Sequence, residues 1–343
     1  MWFKSDNSAG VSPGILTAMA QCNHGLANAY GDDPMSQQLN PRFSALFETD
    51  VWVFPVASGT AANALALSSI AGPFDFIVCH QDAHPLRSES GATPVMSGGA
   101  QFLPVSGDDG RLTVDGLASA IDALPEPHHG AMQAGAVTLT QLSEWGTAYS
   151  VTQVRAISTL AHSRGLSVHM DGARFANAVA SLDVRPADLT WRSGVDILSF
   201  GATKNGTMYA DAVVFFDIDK ARHFRQRLKR SGHALSKSRF MAAQLLAYLE
   251  GDLWLHNARH ANAMARKMAE IVAQSTGARI LNRVDGNIVF AAIVQADVET
   301  LARHGITLRR KSHLADGTPT FRLVASFETS AAELASMRAA LGS

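Results

Sequence analysis

The stretch Ser167-Val-His-Met-Asp-Gly-Ala-Arg-Phe175 decides how the chain is to be read. It continues an apolar run that opens at Leu166, ends on the carboxylate of Asp171, and passes through two small residues into helical spacing. Ligands of open α/β sheets sit just beyond the carboxyl ends of the strands, so Asp171 stands where a bound group would lie. A carboxylate there can hold a protonated pyridine nitrogen and keep the ring cationic. It can equally cap the next helix, with Arg174, one helical turn on, as its ion-pair partner. From this stretch alone both readings stay open.

Outward from it, apolar runs at 51–56, 74–79, 136–140, 166–170, 196–200 and 212–216 are predicted strands. Helical patterns at 61–70, 114–123 and 151–164 separate several of them. Such alternation predicts an α/β fold with a mainly parallel sheet covered on both faces. From about Asp217 the texture changes. A long basic helix leads into a second helical stretch over 241–275, short strands follow near 279–281, 287–293 and 320–325, and a helix near 331–341 closes the chain. We therefore expect a large domain over 1–217 and a smaller α+β domain over 218–343, with no internal repeat.

Three further signals carry chemistry. Leu198-Ser-Phe-Gly-Ala-Thr-Lys-Asn-Gly206 again ends a strand and presents Lys204 from a small-residue turn. A partly buried lysine amine can form a Schiff base with an aldehyde cofactor; taken alone, Lys204 also reads as a solvated charge. Ser58-Gly59-Thr60 follows the 51–56 run and opens a helix, where free N–H groups and two hydroxyls suit a phosphate; the plain alternative is a serine N-cap. His84 lies in the loop after the 74–79 run, where it can stack on a flat ring or move protons. Glu89 is either its partner or a surface acid.

Bulk properties narrow the classes. With 29 Lys and Arg against 30 Asp and Glu, no field of one sign favours nucleic acid or anionic membrane. Cys22 and Cys79 are too few for a disulfide framework or a cysteine metal site. His256 and His260 have i, i+4 spacing, but the intervening Asn-Ala-Arg supplies no catalytic glutamate, so no metal is expected. The basic run from Arg222 to Arg230 has little aromatic interleaving and charges on more than one helix face, and reads as a solvated helix. No apolar run reaches the eighteen or so residues of a membrane span. The opening MWFKSDNSAG lacks a secretion-signal pattern, so a soluble cytoplasmic protein is expected.

Taken together, Asp171-Gly-Ala-Arg174, Lys204, Ser58-Gly59-Thr60 and Tyr30-Gly-Asp-Asp33 resemble the threonine aldolase family, within the fold type I pyridoxal phosphate (PLP) enzymes and their β-eliminating lyase group. The resemblance runs from Ser5-Asp6-Asn7 to Phe321-Arg-Leu-Val324. It implies a mainly parallel seven-stranded sheet in the large domain and retro-aldol cleavage of L-β-hydroxy-α-amino acids to glycine and an aldehyde. By the same resemblance Lys204 would hold PLP as a Schiff base, Asp171 would pair with the pyridine nitrogen, and His84 would stack on the ring. Ser58, Gly59 and Thr60 would cradle the phosphate, and Ser5, Arg174 and Arg322 would grip the substrate carboxylate. Tyr30 would lie near a pocket shared between subunits of a tetramer of two dimers, and Lys237 or Arg239 would reach a neighbour's phosphate. For the base, His84, His128, His129 or a held water are candidates, with His84 favoured. Around the lysine the chain has Lys204-Asn-Gly-Thr207 where many members carry Lys-Gly-Leu-Gly-Ala-Pro, and Arg87 follows His84; both bear on substrate choice. The alternatives are a β-eliminating lyase and a non-catalytic PLP-binding protein.

Overall fold

The computed structural model describes residues 1–126 and 130–342. The first sheet holds β1 (Trp52–Val56), β2 (Asp75–His80), β3 (Gln101–Val105), β4 (Gln133–Thr140), β5 (Ser167–Gly172), β6 (Ile197–Phe200) and β7 (Asp211–Phe215), in the order β1-β7-β6-β5-β4-β2-β3. Six of these strands coincide with predicted apolar runs. The seventh, β3, was not predicted, because Gln101 and Pro104 interrupt its apolar pattern. It is an edge strand paired only with β2, where a proline can be tolerated.

Strand β7 runs antiparallel to both β1 and β6, while β2 through β6 pair in parallel. Its first residue, Asp211, therefore pairs with Val56 at the end of β1, and its neighbour Ala212 pairs with Phe200 at the end of β6. Asp171 pairs with Thr140 on one side and Ser199 on the other. One end of the sheet thus gathers Asp171, Ser199 and Asp211. Over it lies the helix Gly59–Ser68, in which every residue from Ala61 to Ser68 is buried. A helix enclosed on all sides needs small side chains, and alanine supplies them here.

The second sheet is antiparallel, with β8 (Ala278–Ile280), β9 (Ile288–Ile293), β10 (Arg309–His313) and β11 (Pro319–Val324) in the order β10-β11-β9-β8. Strand β10 reads Arg-Arg-Lys-Ser-His and is fully exposed, so burial gives no pattern to read; its pairing with β11 holds it, and its charges discourage further pairing. The basic stretch after Asp217 is helical only over Phe224–Arg230, and the 241–275 stretch is two helices, Arg239–Leu249 and Leu253–Gln274. Between them Gly251 and Asp252 take left-handed φ values of 53° and 56°, which no continuous helix accommodates.

Two apolar cores meet on Leu253–Gln274. Trp254 and Ala258 pack with the first sheet, whereas Met264, Met268, Ile271 and Val272 pack with the second. Phe3 also belongs to the second core, and its carbonyl accepts from the N–H of Val324 at 2.9 Å. The cores therefore exchange on this helix, well beyond the expected 217/218 boundary, because Met241, Leu245 and Tyr248 give Arg239–Leu249 an apolar face toward the first sheet.

At the turn after β6, a Cβ on Gly201 would stand 2.6 Å from the Cα of Ala173 and 2.7 Å from its carbonyl oxygen. Both are backbone atoms, so neither can give way cheaply. Gly201→Ala is expected to cost about 1–3 kcal/mol of stability, read as a lower urea midpoint; a midpoint equal to the parent's would contradict this close approach.

Candidate active site

A cavity of about 210 Å³ opens at the gathered sheet end. Ser58, Gly59, Thr60, His84, Asp171 and Lys204, from four separate parts of the chain, all line it, together with Asn63, Glu89 and Asp211.

Asp171 is 2% exposed. Its Oδ1 accepts from the N–H of Ala173 at 3.0 Å, and its Oδ2 accepts from Asn63 Nδ2 at 3.0 Å. It has no ion-pair partner among the described residues. The expected partner, Arg174, turns instead to Asp6, with Nε to Oδ2 at 2.7 Å and Nη2 to Oδ1 at 2.9 Å. Asp171 is thus a buried carboxylate without a counter-ion on the wall of a cavity. Two residues earlier on β5, His169 bridges Thr138 Oγ1 and Ser199 Oγ, both at 2.9 Å, and burial pushes its imidazole down to about 3. It is a neutral tie across β4, β5 and β6.

Lys204 sits in the short 3-10 turn Thr203–Asn205. Asp211 Oδ1 accepts from the N–H groups of Ala202 at 2.7 Å and Thr203 at 2.9 Å, just before the lysine. Burial raises the Asp211 carboxyl above its usual range, against the pull of these N–H groups. On the other side, Asn205 Nδ2 donates to Tyr248 Oη at 2.7 Å and to the Trp254 carbonyl at 2.8 Å. Gly206 follows at φ 127°, and a Cβ there would lie 2.3 Å from Ser12 Oγ. The Asn-Gly pair after the lysine is thus an anchor and a close approach.

Also on the cavity wall, Ser58 Oγ accepts from the N–H of Ala61 at 3.3 Å and caps the helix Gly59–Ser68. The N–H groups of Gly59 and Thr60 have no acceptor among the described residues, so the positive end of this helix is open to an anion. The serine is therefore a cap, as its plain reading had it, and the cap leaves a phosphate-sized set of donors in place.

His84 opens the short helix His84–Arg87, and its Nδ1 lies 2.8 Å from Glu89 Oε1. Asn63 Nδ2 donates to that same oxygen at 2.9 Å as well as to Asp171. The hydrogen bond to Glu89 raises the affinity of His84 for a proton, aided by the nearby acids Glu144 and Asp171 and opposed by burial. Burial raises the Glu89 carboxyl, against its bonds to His84 and Asn63.

The remaining predicted residues lie elsewhere. Ser5 Oγ accepts from the N–H of Asn7, and it is Asn7 that lines the cavity. Arg322 is 7% exposed; its Nε has no partner among the described residues, and burial beside Arg174 pushes its guanidinium down to about 10. Tyr30 lines a second cavity of about 590 Å³, with Lys229 Nζ 4.5 Å from its ring centroid. Arg239 donates to the carbonyls of His24 and Gly25, and Arg87 donates to the carbonyl of Gln81 at 2.6 Å. His260 Nε2 meets the Thr329 carbonyl at 2.8 Å. His128 and His129 lie outside the described residues. Of the groups not singled out beforehand, Asn63 carried a readable signal, as an amide inside the apolar run Ala61-Ala-Asn-Ala-Leu-Ala-Leu67. Asp6 and Asp211 gave no such signal.

A seven-stranded sheet with one antiparallel strand, a capped helix at its carboxyl end and a lysine turn after β6 define a fold type I PLP enzyme. A solved aspartate aminotransferase from Rhodobacter sphaeroides shares this fold at TM-score 0.68 and 17% identity, over 100% of this chain and 92% of that one. The chain belongs to the β-eliminating lyase family, whose model matches residues 3–296. It is 40% identical over 303 residues to a low specificity L-threonine aldolase of Pseudomonas aeruginosa, covering 88% of this chain and 87% of the relative. A solved threonine aldolase from Leishmania major superposes at TM-score 0.93 with 26% identity, over 99% of this chain and 98% of that one.

The Asp6–Arg174 fork makes a testable demand. Burial would raise the Asp6 carboxyl, but Arg174 outweighs it and holds the group below its usual 3.8. A carboxyl held lower in the folded state adds stability above about 3.8 that is lost as pH falls through the folded value. Asp6→Ala is expected to cost about 3–5 kcal/mol at neutral pH, and Asp6→Asn to be less acid-sensitive than the parent. Equal unfolding midpoints from pH 7 down to pH 3 would show that the fork contributes nothing.

Proposed function

We propose that this chain is a PLP-dependent L-threonine aldolase of low specificity, cleaving L-threonine, L-allo-threonine and related L-β-hydroxy-α-amino acids such as phenylserine to glycine and an aldehyde. The observation that carries this reading is one cavity lined by the counter-ion-free carboxylate of Asp171, the amine of Lys204 and the open N–H groups of Gly59 and Thr60. These match the three handles of PLP, a basic ring nitrogen, an aldehyde and a phosphate, and the similarity to threonine aldolases selects the reaction. When bound, the cofactor supplies a cationic ring that takes up the electron pair left on Cα after the Cα–Cβ bond breaks.

Each residue then has a physical task. Asp171 holds the ring nitrogen protonated, and Asn63 and the Ala173 N–H fix its orientation. Lys204 would hold the cofactor through its aldehyde carbon, by way of its amine. Ser58, Gly59 and Thr60 hold the phosphate. Arg322 is the main grip on the substrate carboxylate, since a guanidinium matches a carboxylate in two bonds and this one is buried without an anion. Arg174 spends Nε and Nη2 on Asp6, so it joins Ser5 with what its third nitrogen can offer. This grip would fix the orientation of the substrate about Cα, and so which of its bonds is placed to break. His84, directly or through a water, accepts the β-hydroxyl proton. Tyr30, beside the second cavity, and Lys237 or Arg239 serve the site of a neighbouring subunit, in a tetramer of two dimers. Among the described residues no helix is long and apolar enough to cross a membrane, which agrees with a cytoplasmic enzyme.

Lys204→Ala is expected to abolish both the visible absorbance of bound cofactor and aldehyde release; retention of both would remove the cofactor assignment. Arg322→Ala should weaken substrate by about 2–5 kcal/mol while leaving PLP content near that of the parent. An unchanged KM and kcat would refute the carboxylate role. With L-threonine or phenylserine, glycine should accumulate; pyruvate and ammonia would mark a β-elimination instead.

A further inference from the structure

Glu89 lines the cavity, the proposed reaction has so far given it no task, and its side chain is fully buried. Its Oε1 meets both the His84 ring at 2.8 Å and Asn63 Nδ2 at 2.9 Å, while its Oε2 is buried with no partner among the described residues. Asn63 donates through the same nitrogen to Asp171, so two carboxylates flank one amide and neither meets a lysine or arginine. A buried acid in this position needs a proton or a cation to offset it, and the nearest titratable group is the His84 imidazole.

We infer that Glu89 is the positioning residue of His84: its carboxylate takes the Nδ1 hydrogen bond, leaves Nε2 as the ring's acceptor, and offsets the charge that His84 gains when it accepts a proton. This rests on the aldolase reading above. In the step it serves, the β-hydroxyl proton passes to Nε2 and the O–H electron pair becomes the carbonyl π bond. The Cα–Cβ pair stays on Cα, and aldehyde departs. An acid behind an imidazole fixes the tautomer and stabilises the imidazolium, as in hydrolase triads. The other charged groups facing His84 are Asp171 from β5 and Glu144 from the loop after β4, both of which favour its protonation, and Lys204 across the cavity. Asn63 ties the pair to the carboxylate assigned to the ring nitrogen.

The test uses the full-length protein loaded with PLP, as parent, Glu89→Gln and Glu89→Asp. Glu89→Gln should keep its bound PLP and visible absorbance, with kcat for L-threonine cleavage lower by about 10–100-fold and KM little changed. The acid limb of its kcat profile, and the His84 midpoint in 15N NMR, should both move down by about one pH unit. Glu89→Asp should give intermediate values, and it decides the matter if Glu89→Gln does not fold. A His84 midpoint and acid limb that stay at the parent's positions would overturn the proposal, whatever happens to kcat, and leave Glu89 as wall. A parent that binds PLP but releases no aldehyde from L-threonine, L-allo-threonine or phenylserine would overturn the reaction itself, and this proposal with it.

Discussion

Three parts of the chain that are far apart in sequence meet at the carboxylate of Asp6. Arg174, just after β5, grips it with two nitrogens; Asn287, just before β9, donates to its Oδ2 at 3.0 Å and also to the carbonyl of Ala325 after β11. The N-terminal segment, the large sheet and the small sheet are thereby locked to one point beside the cavity. Taking both charges out of water is costly, and only the two-pronged geometry with a further donor offsets it. Remove either partner and a bare charge is left between two sheets. Because Arg174 follows Asp171 by three residues, the fork also fixes the turn on which the site's central carboxylate stands.

Most of the large sheet was legible in the sequence, because six of its strands are short apolar runs bounded by turns. The two strands that were not legible fail for physical reasons. In β3 a proline breaks the pattern, and in β10 there is no apolar face at all. The change of texture near Asp217 marked where the first sheet ends, with Phe215 as the last residue of β7. It did not mark where the first core ends, since helices packed on a sheet belong to its core without interrupting any pattern.

For the site, the residues legible beforehand share one property: each lies at the carboxyl end of a strand or within a few residues after it. Asp171, Lys204, Ser58 and His84 all do, and the structure brings these four to one cavity. What the sequence did not show is who holds them. Glu89, five residues after His84, is the one holder open to reading there; Asn63 and Asp211 act through hydrogen bonds that cross between elements, and no spacing rule reaches that far. The Asp171–Arg174 ion pair, the alternative to a cofactor role for Asp171, does not form. One helical turn does place the two side by side in sequence, yet Arg174 begins the helix Phe175–Leu182 from its N-cap position, with φ −130° and ψ 36°, and points away to Asp6.

The 22-residue helix Leu253–Gln274 has its first turns embedded among the aromatic side chains beneath the lysine turn and its later turns beneath the small sheet that carries Arg322. At 1.5 Å per residue it is a rod of about 33 Å, seated at both ends. Such a rod transmits position: the spacing between the turn that carries Lys204 and the strand that carries Arg322 is set when the chain folds. The entropy of ordering these parts is thus lost once, during folding, instead of each time a ligand binds.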